Sequence, residues 1–149
     1  QNIRQGIVAG ENLCRARGAE LCVVFDFNGR SRIYNTFDAH RLLHWAGVEG
    51  RQAELKHALL RAYFSEGRNV SDHATLVALA KGSGLDASRA RAILGSDEYA
   101  DEVRAAEQFF LRNGISGVPA IIIEQKHLIS GGQPVEVFER ALREIAAGI

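Results

Sequence analysis

The sequence predicts an α/β chain in which a run of helices comes first and a short hairpin with a closing helix comes last. Apolar residues recur at helical spacing across residues 37–113, with polar caps and glycines between the segments. After Gly114 the pattern changes to β-branched residues, which favour strands, before helical spacing returns near the C-terminus. Two strands have too little surface to cover these apolar helix faces, so the predicted sheet is incomplete within this chain.

The composition is that of an ordinary globular domain without a strong electrostatic field. The chain has 149 residues, of which 46% are hydrophobic and 24% charged, and its 18 basic and 18 acidic side chains cancel. A neutral balance does not favour a polyanion, so we expect no nucleic-acid partner. No apolar run approaches the roughly 20 residues that a membrane helix needs, so we expect no membrane partner.

The cysteines are informative about the cellular compartment, and the first residue is informative about whether the sequence is a fragment. Cys14 and Cys22 are separated by seven residues, which matches neither a dense disulfide framework nor paired zinc-ligand spacing. We therefore expect a cytoplasmic protein, with no metal and no cofactor. Cys22 stands in an apolar run and is expected to be a small buried hydrophobe. A chain that begins with Gln1 and contains no methionine is expected to be a fragment.

The helical part divides into six predicted segments. The first covers residues 1–17, ends at Gly18, and precedes an apolar segment at 21–27 and a turn at Asn28 and Gly29. The others are a helix at 37–46 capped by Asn35 or Thr36, a helix at 52–65, a helix that starts at Ser71 or Asp72, a short helix capped by Asp86, and a helix after Ser96 with the buried stripe Tyr99, Val103, Ala106 and Phe110.

The last part of the sequence predicts a hairpin and one helix. Residues 120–124 are predicted to form a strand, and the continuously apolar run at 121–123 is typical of a strand that is covered on both faces. Gln125 and Lys126 can turn the chain into a second strand at 127–130. Pro134 suits the first turn of a final helix, whose apolar stripe contains Phe138 and Leu142.

Three stretches carry a resemblance to a known family. They are YNTFDAHRLLHW at 34–45, SGVPA at 116–120 and LISGGQP at 128–134, and the similarity extends over residues 15–147. Together they resemble FrnE-type members of the DsbA-like thioredoxin family. The resemblance implies an α/β, thioredoxin-like fold with a large inserted α-helical domain, of which the C-terminal β-β-α half is visible. The implied divisions are an N-terminal helix and connection at 1–34, the inserted helical domain at 35–114 and the thioredoxin-like half at 115–149.

The same resemblance implies thiol–disulfide oxidoreductase or disulfide isomerase activity on thiol- or disulfide-containing protein substrates. The family's Cys-x-x-Cys segment has no match here, so no catalytic role is assigned to Cys14 or Cys22. The chain by itself is therefore expected to be inactive. Kappa-type glutathione transferases and related isomerases share the architecture but have serine in place of the first cysteine. Glutathione is therefore a second candidate partner. A non-catalytic helical interaction module is a third alternative, and a homodimer is compatible with an incomplete thioredoxin half.

The resemblance also implies a substrate-binding site. The pair that matches Val118 and Pro119 forms a cis peptide in thioredoxin-like proteins and leaves the backbone of the preceding residue free to pair with an extended substrate. Gly117 belongs to the same segment, and Gly132 and Gln133 border the same groove. A tight strand-to-helix turn explains the glycine at 132 nearly as well.

Other chemically capable residues have simpler explanations. His40 and His44 are one helical turn apart, but they lack the glutamate of a zinc-protease motif, so packing or solvent exposure is favoured. Trp45 is expected in the core or at a domain surface. Asn35 and Asp38 are expected to act at a helix start.

Overall fold

A computed structural model describes residues 2–27 and 33–148 of the chain, with seven helices and two strands in those ranges. In chain order these elements are α1 (Asn2–Glu20), α2 (Phe37–Val48), α3 (Gln52–Phe64), α4 (His73–Gly82), α5 (Ala87–Leu94), α6 (Ala100–Arg112), β1 (Ala120–Ile123), β2 (His127–Ser130) and α7 (Val135–Ala146). The predicted order of helices, hairpin and final helix is therefore confirmed. The turn predicted at Asn28 and Gly29 lies outside the described residues.

The chain forms two compact units, Gln1–Val103 and Arg104–Ile149, so the division falls within α6. The core of the first unit is formed by α2, α3, α4 and α5, on which Leu42, Leu55, Leu76 and Ile93 are each 0% exposed. Burying an aliphatic side chain of this size contributes about 1.5–3 kcal/mol. The apolar stripes predicted for α3, α4 and α5 therefore face a shared core.

Two of the predicted helix caps are present with the expected geometry. The side chain of Asp72 accepts a hydrogen bond from the backbone N–H of Thr75 at 2.8 Å, at the start of α4. Asp86 accepts one from the N–H of Arg89 at 2.6 Å, at the start of α5. Each carboxylate satisfies an amide that has no partner within its helix and complements the positive end of the helix dipole.

The first helix differs from its prediction because it continues through Gly18 to Glu20. Gly18 is buried, and a Cβ atom at this position would lie 2.6 Å from the carbonyl oxygen of Val23 and 2.6 Å from the ring of Phe25. The glycine thus allows the chain after α1 to fold back closely against the helix, and it does not end the helix. The N–H of Asp26 then donates to the carbonyl of Phe64 at 2.8 Å, which ties this segment to α3.

Helix α6 also starts later than predicted. Ser96 does accept from a free amide, that of Glu98 at 3.3 Å, but Tyr99 has a φ of 62° and delays the helix until Ala100. Of the predicted buried stripe, Val103 is buried, whereas Ala106 and Phe110 are exposed and that part of the prediction was wrong. The stripe loses its cover where α6 passes from the first unit into the second.

The second unit contains an antiparallel hairpin and α7. Ala120 pairs with Ser130 and Ile123 with His127, and the turn between the strands has positive φ at both Glu124 and Gln125. No described residue from 104 to 148 is buried. The prediction that the first strand is covered on both faces was therefore wrong for this chain. Its exposed apolar side chains are Ile121 at 38% and Ile122 at 43%.

Candidate functional site

The segment Gly117–Pro119 lies between the end of α6 and the start of β1. Gly114, with a φ of 78°, ends the helix, and the N–H of Ile115 donates back to the carbonyl of Phe110 at 3.0 Å. The peptide bond between Val118 and Pro119 is cis, the geometry that the resemblance predicts, and β1 follows at once. Val118 is 94% exposed. We call Gly117–Pro119 the docking segment.

The backbone of the docking segment is anchored at one point and open at the others. The carbonyl of Pro119 accepts a hydrogen bond from the N–H of Gly131 at 2.9 Å, which extends the β1–β2 ladder by one rung. Among the residues that the structure describes, no backbone hydrogen bond outside the regular elements involves Gly117 or Val118. Their peptide groups can therefore accept or donate to another extended chain.

The turn after β2 lies at the same end of the hairpin as the docking segment. Gly131 has a φ of 82°, and its carbonyl accepts from the N–H of Gln133 at 3.0 Å. The side-chain amide of Gln133 donates to the carbonyl of Ser130 at 2.9 Å. A Cβ at Gly132 would meet nothing within 4 Å. All five residues predicted for the substrate-binding site thus lie on two loops that are joined by the bond between Gly131 and Pro119.

The two cysteines lie away from these loops in the sequence and are both exposed and free. Cys14 is within α1, and Cys22 follows the helix with a φ of 57°. The prediction that Cys22 is buried was wrong, because the chain turns at the end of α1 and leaves position 22 at the surface. Both thiols are free, so the structure shows no disulfide between Cys14 and Cys22.

The histidines in the described part of the chain are not arranged as metal ligands. No group of three His, Cys, Asp or Glu side chains there is arranged to hold a metal ion. His40 and His44 are exposed, and the His44 ring lies 5.1 Å from the ring of Tyr99. Trp45 is 3% exposed and its indole N–H donates to Glu49 at 3.2 Å, so its predicted core position is confirmed.

A buried polar network in the first unit escaped the sequence analysis. Arg41 is 4% exposed, and its guanidinium donates to the carbonyl of Glu98 at 2.8 Å and to Asp38 at 2.9 Å. It also donates to the carbonyls of Ile93 and Ser96, at the end of α5. The signal that would have found it is the three-residue spacing of Asp38 and Arg41, which places both on one face of α2 next to apolar neighbours.

Asp38 is held in its charged form by this network. The imidazole Nε2 of His73 lies 2.8 Å from its second carboxylate oxygen, so Asp38 links the start of α4 to α2. Partial burial alone raises the pKa of Asp38, but the hydrogen bonds from His73 and Arg41 outweigh burial and hold the pKa below its ordinary value. Asp38 therefore has a stabilising role beyond the helix start that was predicted for it.

One open groove of the first unit is unrelated to the predicted site. It has a volume of about 520 Å³ and lies between α3 and the C-terminal end of α4, where its lining includes Arg51, His57, Arg61 and Gly84. Arg51 pairs with Glu54 at 3.2 Å on the exposed surface. None of the five predicted site residues lines this groove.

No helix of the described residues combines the length and the apolar character that crossing a membrane requires.

The family described as DSBA-like thioredoxin domain matches residues 12–143. No curated protein matches the chain. Among solved structures, a probable DsbA oxidoreductase from Streptomyces coelicolor is similar, with a TM-score of 0.81 and 41% sequence identity. The match covers 94% of this chain but 60% of that protein, so the chain spans three fifths of its relative's length. The predicted thioredoxin-like fold with a helical insertion is thereby confirmed. The chain belongs to the DsbA-like thioredoxin domain family.

Proposed function

We propose that the protein is a thiol–disulfide oxidoreductase or disulfide isomerase of the FrnE type, and that this chain supplies the docking segment for its polypeptide substrate. The family match carries this proposal, because residues 12–143 include both loops of the candidate site. The similar Streptomyces protein, whose name describes a probable DsbA oxidoreductase, supports the same class of activity. The cytoplasm belongs to the proposal too, since two cysteines among 149 residues do not form a disulfide framework.

The backbone of the docking segment is suited to an extended chain. An added strand binds through main-chain hydrogen bonds, and these require a donor and an acceptor that have no other partner. Val118 meets this requirement among the described residues, and Gly117 has no Cβ to obstruct an approaching backbone. The substrate class that fits is therefore an unfolded or extended segment of protein next to a thiol or disulfide.

The redox step needs two further thiols. In such exchange a thiolate of the enzyme attacks one sulfur of the substrate disulfide, forms a mixed disulfide and releases the other substrate sulfur as a thiolate. The second enzyme thiol, as its thiolate, then attacks the first enzyme sulfur, which forms the enzyme disulfide and releases the remaining substrate sulfur as a thiolate. Cys14 and Cys22 have the wrong sequence spacing for Cys-x-x-Cys, and both are free in the structure. We therefore propose that these 149 residues alone have little activity and that a form carrying Cys-x-x-Cys is active.

Turnover measurements test this division of roles. Reduction of a disulfide-bonded protein and refolding of a scrambled one would be measured with the 149-residue chain, its Cys14→Ser and Cys22→Ser variants, and a longer form with Cys-x-x-Cys. We expect turnover from the longer form alone. Robust turnover by the 149-residue chain that disappears in either serine variant would refute the assignment of these cysteines.

Docking is tested in the longer form with Val118→Pro, which removes the backbone donor at that position, and with Val118→Ala as the matched control that keeps it. We expect KM for a disulfide-bonded peptide to rise about fivefold in Val118→Pro, the effect of one hydrogen bond of about 1 kcal/mol, and to change little in Val118→Ala. Equal KM values in the two variants would show that substrate does not pair with this backbone.

A further inference from the structure

We propose that Gln133 is a positioning residue for the docking segment: it holds Gly117–Pro119 through the turn at Ser130 and Gly131, without contacting the substrate. This inference rests on the proposed function, because it assumes that the docking segment receives a substrate backbone. It assigns Gln133 a different role from the groove-bordering one implied by the family resemblance.

Gln133 closes the turn after β2 with two hydrogen bonds. Its side-chain amide donates to the carbonyl of Ser130 at 2.9 Å, and its backbone N–H donates to the carbonyl of Gly131 at 3.0 Å. A backbone carbonyl can only accept, so the nitrogen of the side-chain amide must be the atom that faces Ser130. One N–H of the exposed Gln133 side-chain amide is therefore engaged in the turn.

This turn holds the docking segment through a backbone hydrogen bond. Gly131 has a φ of 82°, and this conformation directs its N–H to the carbonyl of Pro119 at 2.9 Å. The Gln133 amide nitrogen lies 3.5 Å from the point where a Cβ of Gly131 would stand, so the side chain packs directly over this glycine. One continuous path of contacts therefore runs from Gln133 through Gly131 to Pro119.

The consequence is a specific effect on substrate binding. Without the amide donor, the turn samples more conformations and the bond from Gly131 to Pro119 opens more often. The open peptide groups of Gly117 and Val118 are then held less firmly for an incoming strand, whereas the thiols that carry out exchange are untouched. A loss at Gln133 should therefore raise KM and leave kcat unchanged.

The test uses Gln133→Met, which keeps the side-chain length and lacks the donor, in the form of the protein that carries Cys-x-x-Cys. Gln125→Met is the matched control, since Gln125 lies in the turn at the opposite end of the same hairpin. We expect amide exchange at Gly131, followed by NMR, to become about fivefold faster in Gln133→Met and KM for a disulfide-bonded peptide to rise about fivefold. Neither quantity should change in Gln125→Met.

Gln133→Glu provides a rescue by pH. Its carboxyl group donates to Ser130 when protonated and cannot donate when ionised, so slow exchange at Gly131, relative to the wild type at each pH, should return below about pH 4. Unchanged Gly131 exchange in Gln133→Met would overturn the positioning role. Faster exchange with an unchanged KM would show that the turn does not position the substrate site. The Val118→Pro comparison decides the docking proposal separately.

Discussion

The buried guanidinium of Arg41 offers the sharpest test of how the helical unit is held together. Replacing it by methionine keeps most of the side-chain volume and removes its hydrogen bonds to the carbonyls of Ile93, Ser96 and Glu98 and its pairing with Asp38. The three bonds to carbonyls connect α2 to the end of α5 and to the chain that leads into α6, and the pairing with Asp38 lies within α2.

The size of the effect follows from burial and charge. Hydrogen bonds to a charged group contribute about 1.5–3 kcal/mol each, but they are not additive when one side chain makes them all. Removing one partner from a buried charged network typically costs about 3–5 kcal/mol. Arg41 is 4% exposed, so solvent cannot replace the lost donors easily. We expect Arg41→Met to lower the free energy of unfolding by about 4 kcal/mol, out of the roughly 5–15 kcal/mol typical of a domain.

Urea unfolding followed by far-ultraviolet circular dichroism measures this change. Arg61→Met is the control, because the Arg61 side chain is 75% exposed and pairs with Glu66 at 3.2 Å on the surface. A pair of that kind contributes about 0–1 kcal/mol. Arg41→Lys should fall between the two, since an ammonium group cannot span the fork of acceptors. A loss below about 1 kcal/mol in Arg41→Met would refute the network as a major source of stability.

Three further outcomes are expected. Because the pKa of Asp38 is lowered in the folded state, its contribution to stability is present above the pKa of the unfolded chain and is lost as pH falls through the pKa of the folded chain. The difference in free energy of unfolding between wild type and Asp38→Asn, from urea unfolding, should therefore be constant near neutrality and vanish below about pH 4. A difference that grows in acid would contradict this. Leu42→Ala, at 0% exposure, should cost about 2–5 kcal/mol, whereas Leu60→Ala, at 45%, should cost about 0.5 kcal/mol, and equal losses would place the core elsewhere. Thiol titration of the folded chain should count two reactive groups, because Cys14 and Cys22 are both exposed and free; a count of zero would show that they are paired or inaccessible.

The helices were predictable where local chemistry determines them. Asp72 and Asp86 were identified as caps because a carboxylate that precedes an apolar stripe satisfies free amides within the same few residues. Gly18 was misjudged because its role depends on a contact with Val23 and Phe25, and sequence spacing does not reveal a close approach in space. The late start of α6 arises from the backbone conformation of Tyr99, a residue type that rarely adopts positive φ.

The residues of the candidate site were predictable from the family motif, but the hydrogen bonds that hold them were not. The family resemblance identified Val118 and Pro119, and the structure gives that peptide bond the cis geometry. The bonds that join the two loops, from Gly131 to Pro119 and from Gln133 to Ser130, could not be inferred from composition or periodicity. Arg41 was missed for a related reason, since an arginine on a helix is usually at the surface and its three carbonyl acceptors lie more than 50 residues away in the sequence.

The turn between β1 and β2 has a practical consequence for engineering. Glu124 and Gln125 both have positive φ, 52° and 59°, a conformation that Asn-Gly adopts with less steric cost. A designer could therefore exchange these two residues for Asn-Gly and gain thermal tolerance at the end of the hairpin that lies farthest from the docking segment. The turn at Glu124 and Gln125 can thus be redesigned while the docking segment at the other end of the hairpin keeps its wild-type residues.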